Sequence, residues 1–130
     1  IEAAGGLDVT FHRAFDVVAD RTTAMERIIG LGCSRILSSG GADHALDGAA
    51  VIAADIERAA GRIALVAGAG VTAGNIADVA RLAGARELHA SARVFDPGIG
   101  AEGPAGLARG HGRSDEAVVR ALREALDAES

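Results

Sequence analysis

Lysine is absent from this sequence of 130 residues, because all 13 of its basic residues are arginine. The chain therefore has neither a Schiff-base amine nor the phosphate-binding lysine of a P-loop. Aromatic residues are almost as scarce, with three Phe and no Trp or Tyr, and the formal net charge is -5. Affinity for nucleic acid depends on phosphate contacts and base stacking, both of which this composition disfavours. We expect no nucleic-acid partner.

Cysteine and long apolar runs are also in short supply. Cys33 is the single cysteine, so no internal disulfide can form, and we interpret it as a small buried hydrophobic residue. No apolar run approaches the about 20 residues of a membrane span, and no signal-peptide pattern is present. We expect a cytoplasmic protein with no membrane partner. The composition that remains, 49% hydrophobic and 24% charged, is that of one globular domain.

Four short runs of β-branched or aliphatic residues begin 24 to 28 residues apart, at positions 9–14, 35–40, 63–68 and 87–92. This spacing is typical of a strand followed by a crossover helix. Helices are predicted after caps at Asp20, Asp43 and Thr72, and a last helix after Ser114 or Asp115. The pattern predicts an α/β fold of about four βα units plus a C-terminal helix. It is either a doubly wound open sheet or half of a TIM (β/α)₈ barrel.

The pattern stops in a segment rich in glycine and proline. Residues 94–113 contain six glycines and both prolines, which predicts a loop that is either a lid over a binding site or plain disorder. We treat residues 1–130 as a single domain, a partial TIM barrel. Because half a barrel leaves two parallel edges unpaired, we predict a homo-oligomer.

Polar residues and glycines close each predicted strand, and in both candidate folds a ligand lies beyond the carboxyl ends of the strands. No catalytic constellation is established, so these residues are predicted to bind a ligand. In chain order they are His12, Arg13 and Asp16, then Ser38, Ser39 and Gly40, then Gly68 and Gly70, and last His89, Ser91 and Arg93.

The two histidines allow more than one interpretation. Strand alternation places His12 and His89 on the inside, where they converge on one interior. Each is a neutral imidazole hydrogen-bonded in a polar core, or a ligand-binding or acid/base group, or a metal ligand. A metal needs three or four converging ligands, and Glu87 is the one further candidate, so the metal signal is weak.

Two other features have a structural and a functional interpretation. Arg13 and Asp16 either pair with each other or leave the arginine fork free for a carboxylate or phosphate. Residues 68–72 read Gly-Ala-Gly-Val-Thr and run towards a predicted helix N-terminus. They form either a tight turn or an anion site, which Arg93 would close.

Four stretches resemble the CutC family, whose members are labelled copper homeostasis proteins. They are VTFHRAFD at 9–16, GCSRILSSGG at 32–41, AGAGV at 67–71 and RELHASA at 86–92, in the family's order and spacing. The resemblance implies a TIM barrel, a cytoplasmic location and copper handling or copper binding. Members of the family are longer, and the resemblance implies that this chain corresponds to the C-terminal half. The resemblance also implies that the cysteines proposed to bind copper lie in the other half, so no copper ligand is assigned here.

Two functional hypotheses follow. The first, from the resemblance, is a copper homeostasis protein with copper as its ligand. The second is a TIM-barrel enzyme or binder of a small anionic metabolite bearing phosphate or carboxylate. In that case His12 or His89 would be the acid/base, and Arg13, Arg93 and residues 68–72 would hold the anion. Copper(I) prefers thiolate or thioether ligands, of which the sequence has one Cys and one Met, so its own chemistry favours the second hypothesis.

Overall fold

The computed structural model of this chain describes residues 1–95 and 112–129. Its strands are β1 (Thr10–Phe11), β2 (Arg35–Ser38), β3 (Ala64–Gly68), β4 (Glu87–His89), β5 (Arg93–Phe95) and β6 (Gly112–Ser114). Its helices are α1 (Arg21–Gly30), α2 (Ala49–Ala59), α3 (Ile76–Ala83) and α4 (Glu116–Asp127). Short 3-10 helices cover Glu2–Ala4 and Arg13–Val17.

Strands β1 to β4 form one parallel sheet in their sequence order, and each pair is separated along the chain by a helix. A doubly wound sheet reverses its strand order at a switch point, whereas a barrel wall adds strands in one direction. The described sheet shows no reversal. The predicted βα array is therefore confirmed, and the strand order favours the barrel over the open sheet.

The sheet packs one face against the helices, and the largest fully buried side chains lie in this layer. They include Phe15, Met25, Ile36, Ile52 and Val79. In β2 and β3 the burial alternates with a period of two, because successive side chains point to opposite faces. The less buried sheet face therefore carries the side chains that would line a barrel interior.

That inner face carries a row of charges near the amino ends of the strands. The Arg35 guanidinium donates to Glu87 of β4 across 2.7 Å and to Asp8, before β1, across 2.9 Å. Hydrogen bonds from Arg35 and then Ser34 lower the pKa of Asp8, and its bonds to Asp8 and Glu87 raise the pKa of Arg35. Glu87, one of the three predicted metal candidates, is therefore occupied by an arginine.

Two of the predicted helix caps are confirmed and two are wrong. Asp20 accepts a hydrogen bond from the Thr23 N–H at 3.0 Å, and Asp115 rather than Ser114 caps α4. Asp43 does not cap α2, because the chain after it forms a loop held to β3 before the helix begins beyond Gly48. Thr72 does not cap α3, because its N–H donates to the Asn75 side chain and the helix begins only at Ile76.

Three of the predicted strands end earlier than the sequence pattern suggests. The run 9–14 yields only Thr10–Phe11, since the His12 imidazole accepts from the Ala14 N–H and starts a 3-10 helix. Run 35–40 ends at Ser38, where Gly40 and Gly41 turn with positive φ. Run 87–92 ends at His89, where the chain leaves β3.

The predicted loop at 94–113 is wrong at both ends. Arg93–Phe95 and Gly112–Ser114 form an antiparallel pair that the composition did not indicate. Residues 96–111 lie outside the described residues, so the choice between a lid and disorder stays a prediction. Within the described ranges no helix is long and apolar enough to cross a membrane.

Candidate functional site

Asp16 is the centre of a buried polar cluster at the carboxyl end of β2. Its side chain is only 4% exposed, yet it accepts hydrogen bonds from the Ser38 hydroxyl at 2.6 Å and the Arg13 Nε at 3.0 Å. The backbone N–H groups of Ser39 and Gly41 also donate to it, at 3.0 and 3.2 Å. The loop after β2 is therefore folded around this carboxylate.

These hydrogen bonds keep Asp16 ionised. Burial by itself would raise the pKa of a carboxyl group, because a low-dielectric surrounding disfavours the charge. Donors from Ser38, Ser39 and Arg13 outweigh the burial and lower the pKa of Asp16 from 3.8 to about 2. The group is an anion throughout the physiological range and cannot act as a general acid there.

Arg21 extends the cluster to a second buried carboxylate. Its guanidinium donates to Asp55, whose side chain is 1% exposed, and to the Ser38 hydroxyl at 3.1 Å. It also stacks over the Phe15 ring, with the guanidinium carbon 4.3 Å from the centroid. We call this connected set the Asp16 network: Arg13, Asp16, Arg21, Ser38, Ser39 and Asp55.

The Asp16 network satisfies its own polar groups. No side-chain nitrogen or oxygen atom that is buried within the described residues lacks a hydrogen-bond partner. Of the two interpretations that the sequence left open, the structure shows the pairing of Arg13 with Asp16, and Arg13 also donates to the Ser39 hydroxyl at 2.8 Å. The network thus ties the 3-10 helix after β1 and helices α1 and α2 to the end of β2.

Gly40 belongs to the same loop for a steric reason. Its φ is +72°, and a Cβ at this position would overlap the backbone of Gly48. A Cβ at Gly48 would in turn overlap the Ser39 carbonyl. Two glycines therefore let the loop after β2 touch the start of α2.

His12 and His89 lie beside opposite edges of the sheet. The order β1-β2-β3-β4 separates their strands by three spacings of about 4.8 Å, or roughly 14 Å along the sheet. His12 stacks on Phe11 with ring centroids 5.4 Å apart. Both imidazoles are exposed, and they follow the two edge strands of the described sheet and not neighbouring strands.

A separate cavity of about 300 Å³ opens at the carboxyl ends of β3 and β4. We call it the strand-end pocket. It brings together four predicted ligand-binding residues, Gly70, His89, Ser91 and Arg93, and its wall is completed by Ala69, Val71, Thr72, Ala73, Ala90, Ala92 and Val118. Turn 68–72 and Arg93 therefore share one cavity, as the sequence suggested, although α3 begins too late to add its N-terminus.

Gly68 and Gly70 of this turn are required for different steric reasons. Gly68 leaves room for neighbours, since a Cβ there would lie 2.7 Å from a methyl of Leu37 and 3.2 Å from the His89 Cβ. Gly70 has φ +65° and lies against the His44 imidazole, which a Cβ would overlap. Gly68 is thus explained by packing, and Gly70 shapes the pocket.

The described residues do not form a copper site. No group of three or more His, Cys, Asp and Glu side chains suitable for a metal exists within 1–95 and 112–129. The Met25 thioether is fully buried in the core, and Cys33 precedes β2, at the opposite end of the strands from the pocket. The donor set therefore does not fit copper(I), which prefers several soft sulfur ligands.

Three residues of this region escaped the sequence analysis. Asp55 could have been found from the sequence, because it lies one turn from Ile52 and Ala59 on the apolar stripe of α2. A charged side chain in such a position needs a partner. Arg21 left no such signal beyond its place at the first helical position. His44 left none either, since its contact with Gly70 links two loops distant in sequence.

Four βα units in one parallel sheet, with a pocket at the carboxyl ends of the strands, define this chain as part of a (β/α) barrel. The family model described as CutC family matches residues 1–94. A Xylella fastidiosa relative described as "family protein CutC" is 55% identical over 93 residues, covering 72% of this chain and 35% of the relative. A relative from Chromobacterium violaceum is 46% identical, covering 95% of this chain and 53% of the relative.

A solved structure of CutC from Streptococcus agalactiae agrees in fold. It is 32% identical with a TM-score of 0.64, and the match covers 68% of this chain and 44% of that one. The chain belongs to the CutC family, and its fold is half of a TIM barrel. It spans between about a third and a half of the length of the relatives it matches.

Proposed function

We propose that this chain acts in copper homeostasis as part of a CutC-family barrel. The observation that carries the proposal is the family match over residues 1–94. The Streptococcus agalactiae relative, 32% identical, is described as a "Putative Copper Homeostasis Protein". Copper in this proposal is the regulated cargo and not a resident cofactor.

Copper itself, in this proposal, is not ligated by the described residues. Met25 has no exposed surface, and Cys33 stands apart from the histidines at the strand ends. His12 accepts a hydrogen bond from Ala14 through Nδ1. A role in copper homeostasis would then depend on ligands elsewhere in the complete barrel, or on a reaction that responds to copper.

A growth assay tests the cellular role. The gene that encodes this chain is deleted, and growth and cellular copper are measured over a copper series, with a zinc series as the control metal. We expect altered copper tolerance or copper content that the restored gene reverses, with no change in zinc. Identical behaviour of deletion and parent strains in copper would refute the proposal.

A titration tests the absence of a copper site in this chain. Copper(I) is titrated against a chromophoric chelator in the presence of the wild-type chain, a Cys33→Ser variant and a His12→Ala/His89→Ala variant. We expect the same weak competition from all three, because no converging ligand set exists in the described ranges. Tight binding of one copper(I) ion by the wild type, lost in either variant, would contradict the claim that the described residues do not ligate copper. It would leave the proposed role in copper homeostasis standing.

A further inference from the structure

We propose that the strand-end pocket binds a small oxyanion, the phosphate or carboxylate group of a metabolite, through Arg93, Ser91 and His89. This site is independent of the copper proposal, because it uses no metal and none of the sulfur residues. All three residues line the same cavity of about 300 Å³.

The charge of the pocket lining supports an anion. Among the described residues, those that line it include one arginine and one histidine but no aspartate or glutamate. The protein as a whole carries a formal net charge of -5, so a lining without acidic side chains is unlike the average surface. A cleft lined by positive charge with low-dielectric walls concentrates anions.

Arg93 is exceptional among the arginines. Nine of the twelve arginines in the described ranges form an ion pair with a carboxylate. Within those ranges the exceptions are Arg27, Arg86 and Arg93, and of these three only Arg93 lines the strand-end pocket. A guanidinium presents a planar fork of donors that matches carboxylate and phosphate oxygens. Within the described ranges the Arg93 guanidinium is therefore unpaired and available to bind an anion.

Ser91 and His89 add hydrogen-bonding groups beside it. Neither side chain has a hydrogen-bond partner within 1–95 and 112–129. The backbone around them, in contrast, is held by hydrogen bonds. The Ser114 hydroxyl donates to the Ser91 carbonyl at 3.3 Å, and the Asp115 N–H donates to the Ala92 carbonyl at 3.0 Å. The pocket thus combines a hydrogen-bonded backbone with polar side chains that have no partner among the described residues. This is the arrangement of a preformed ligand site.

The dimensions of the pocket restrict the ligand. Its volume of about 300 Å³ is at the low end of the range for ligand sites, and most of the remaining lining is alanine, valine, glycine and threonine. Gly70 sets one wall, because its backbone lies against the His44 ring. A compound of a few carbon atoms that bears one oxyanion group fits these limits.

Nuclear magnetic resonance of the 130-residue chain tests the site. Inorganic phosphate and malonate are titrated as separate probes, with neutral glycerol as the control ligand. We expect either anion to shift the amide resonances of Gly70 and Ser91, and glycerol to leave them unchanged. The stronger of the two anions identifies whether phosphate or carboxylate is the preferred group. No shift at these amides with either anion overturns the proposal.

A second experiment compares anion binding by two matched arginine variants. Arg93→Ala should weaken anion binding by about tenfold or more, as the loss of a charge-assisted pair predicts. Arg86→Ala should not, because Arg86 is also unpaired within the described ranges but lies at the opposite ends of the strands. Equal affinity in Arg93→Ala and the wild type overturns the assignment.

Arg93→Lys guards against an effect of folding. This variant keeps the charge and loses the planar fork, so we expect an affinity between those of the wild type and Arg93→Ala. Arg93 is exposed in the structure, and circular dichroism should be the same for all variants. Intermediate affinity in Arg93→Lys, with unchanged circular dichroism, would support recognition by the planar fork, whereas full wild-type affinity in Arg93→Lys would exclude it.

Discussion

At the scale of single residues, Asp16, one of the predicted ligand-binding residues, lies in a buried network of hydrogen bonds and ion pairs. Asp16 is almost fully enclosed, and its oxygens accept from Arg13, Ser38 and Ser39. A buried charge is costly unless it is paired and hydrogen-bonded, and here both conditions are met. The functional candidates therefore move from this network to the pocket at the ends of β3 and β4.

Asp16→Asn tests the structural role of the buried carboxylate. Removing its charge leaves the guanidinium groups of Arg13 and Arg21 without their shared partner. Breaking a buried ion pair on one side is strongly destabilising, so we expect a loss of about 2–4 kcal/mol in the free energy of unfolding at neutral pH. Urea denaturation measures it. Asp78→Asn is the control, because Asp78 pairs with Arg81 on the surface and should change stability little.

The same carboxylate predicts how stability depends on pH. Its folded-state pKa of about 2 lies below the ordinary value of 3.8, so the folded protein binds the proton less readily than the unfolded chain. The stabilisation is then complete above pH 3.8 and is lost as the pH falls towards 2. Urea titrations across this range should show a steeper loss in the wild type than in Asp16→Asn. Parallel curves would contradict the prediction.

At the scale of elements, the loop after β2 makes a close backbone contact with the residue that precedes α2. Gly40 and Gly48 approach so closely that neither position has room for a Cβ. Close packing of this kind cannot be relieved by a rotamer change, because the neighbouring atoms belong to the main chain. This contact holds the chain just before α2, so the helix begins after Gly48, several residues beyond Asp43.

Gly48→Ala tests that contact. The new Cβ would overlap the Ser39 carbonyl, and overpacking of this kind predicts a loss of about 2 kcal/mol or more in unfolding free energy. Gly74→Ala is the matched control, since the nearest atom to a Cβ there is the Thr72 hydroxyl oxygen at 3.8 Å. We expect that control to be neutral or stabilising by up to about 1 kcal/mol. Equal effects on the denaturation midpoint would show that the contact is unimportant.

At the scale of the whole molecule, the described sheet is an arc with two edges. β1 pairs only with β2, and β4 only with β3, among the strands of residues 1–95 and 112–129. Unpaired parallel edges are templates for association, and the inner face carries Arg35, Leu37, Val66 and Glu87. Relatives with about twice the length have additional chain with which to close a barrel.

Self-association is the corresponding prediction. We expect this chain alone to form dimers or larger oligomers, because a second copy can cover the edges and the inner face. Sedimentation velocity over a concentration series should show species heavier than the monomer. Hydrogen exchange should slow at the amides of β1 and β4 as the concentration rises. A monomer at every concentration, with unprotected edge amides, would rule out this mode of association.

Much of the architecture could be predicted from the sequence. The repeat of apolar runs at 24 to 28 residues predicted four βα units, and Asp20 and Asp115 predicted two helix starts. These signals are local, because strand alternation, helix periodicity and capping depend on neighbours in the chain. Residue types at the strand ends also placed Gly70, His89, Ser91 and Arg93 at one edge of the sheet.

From the sequence alone, the absence of lysine also excludes a Schiff-base lysine and a P-loop lysine within these 130 residues. The division of the candidate residues was decided only by the tertiary structure. It assigned Asp16, Ser38 and Ser39 to a self-satisfied network with Arg21 and Asp55, and it left Arg93 unpaired within the described ranges. The reason is physical: whether a polar side chain is free to bind a ligand depends on partners from distant segments, and local sequence does not record where those segments meet.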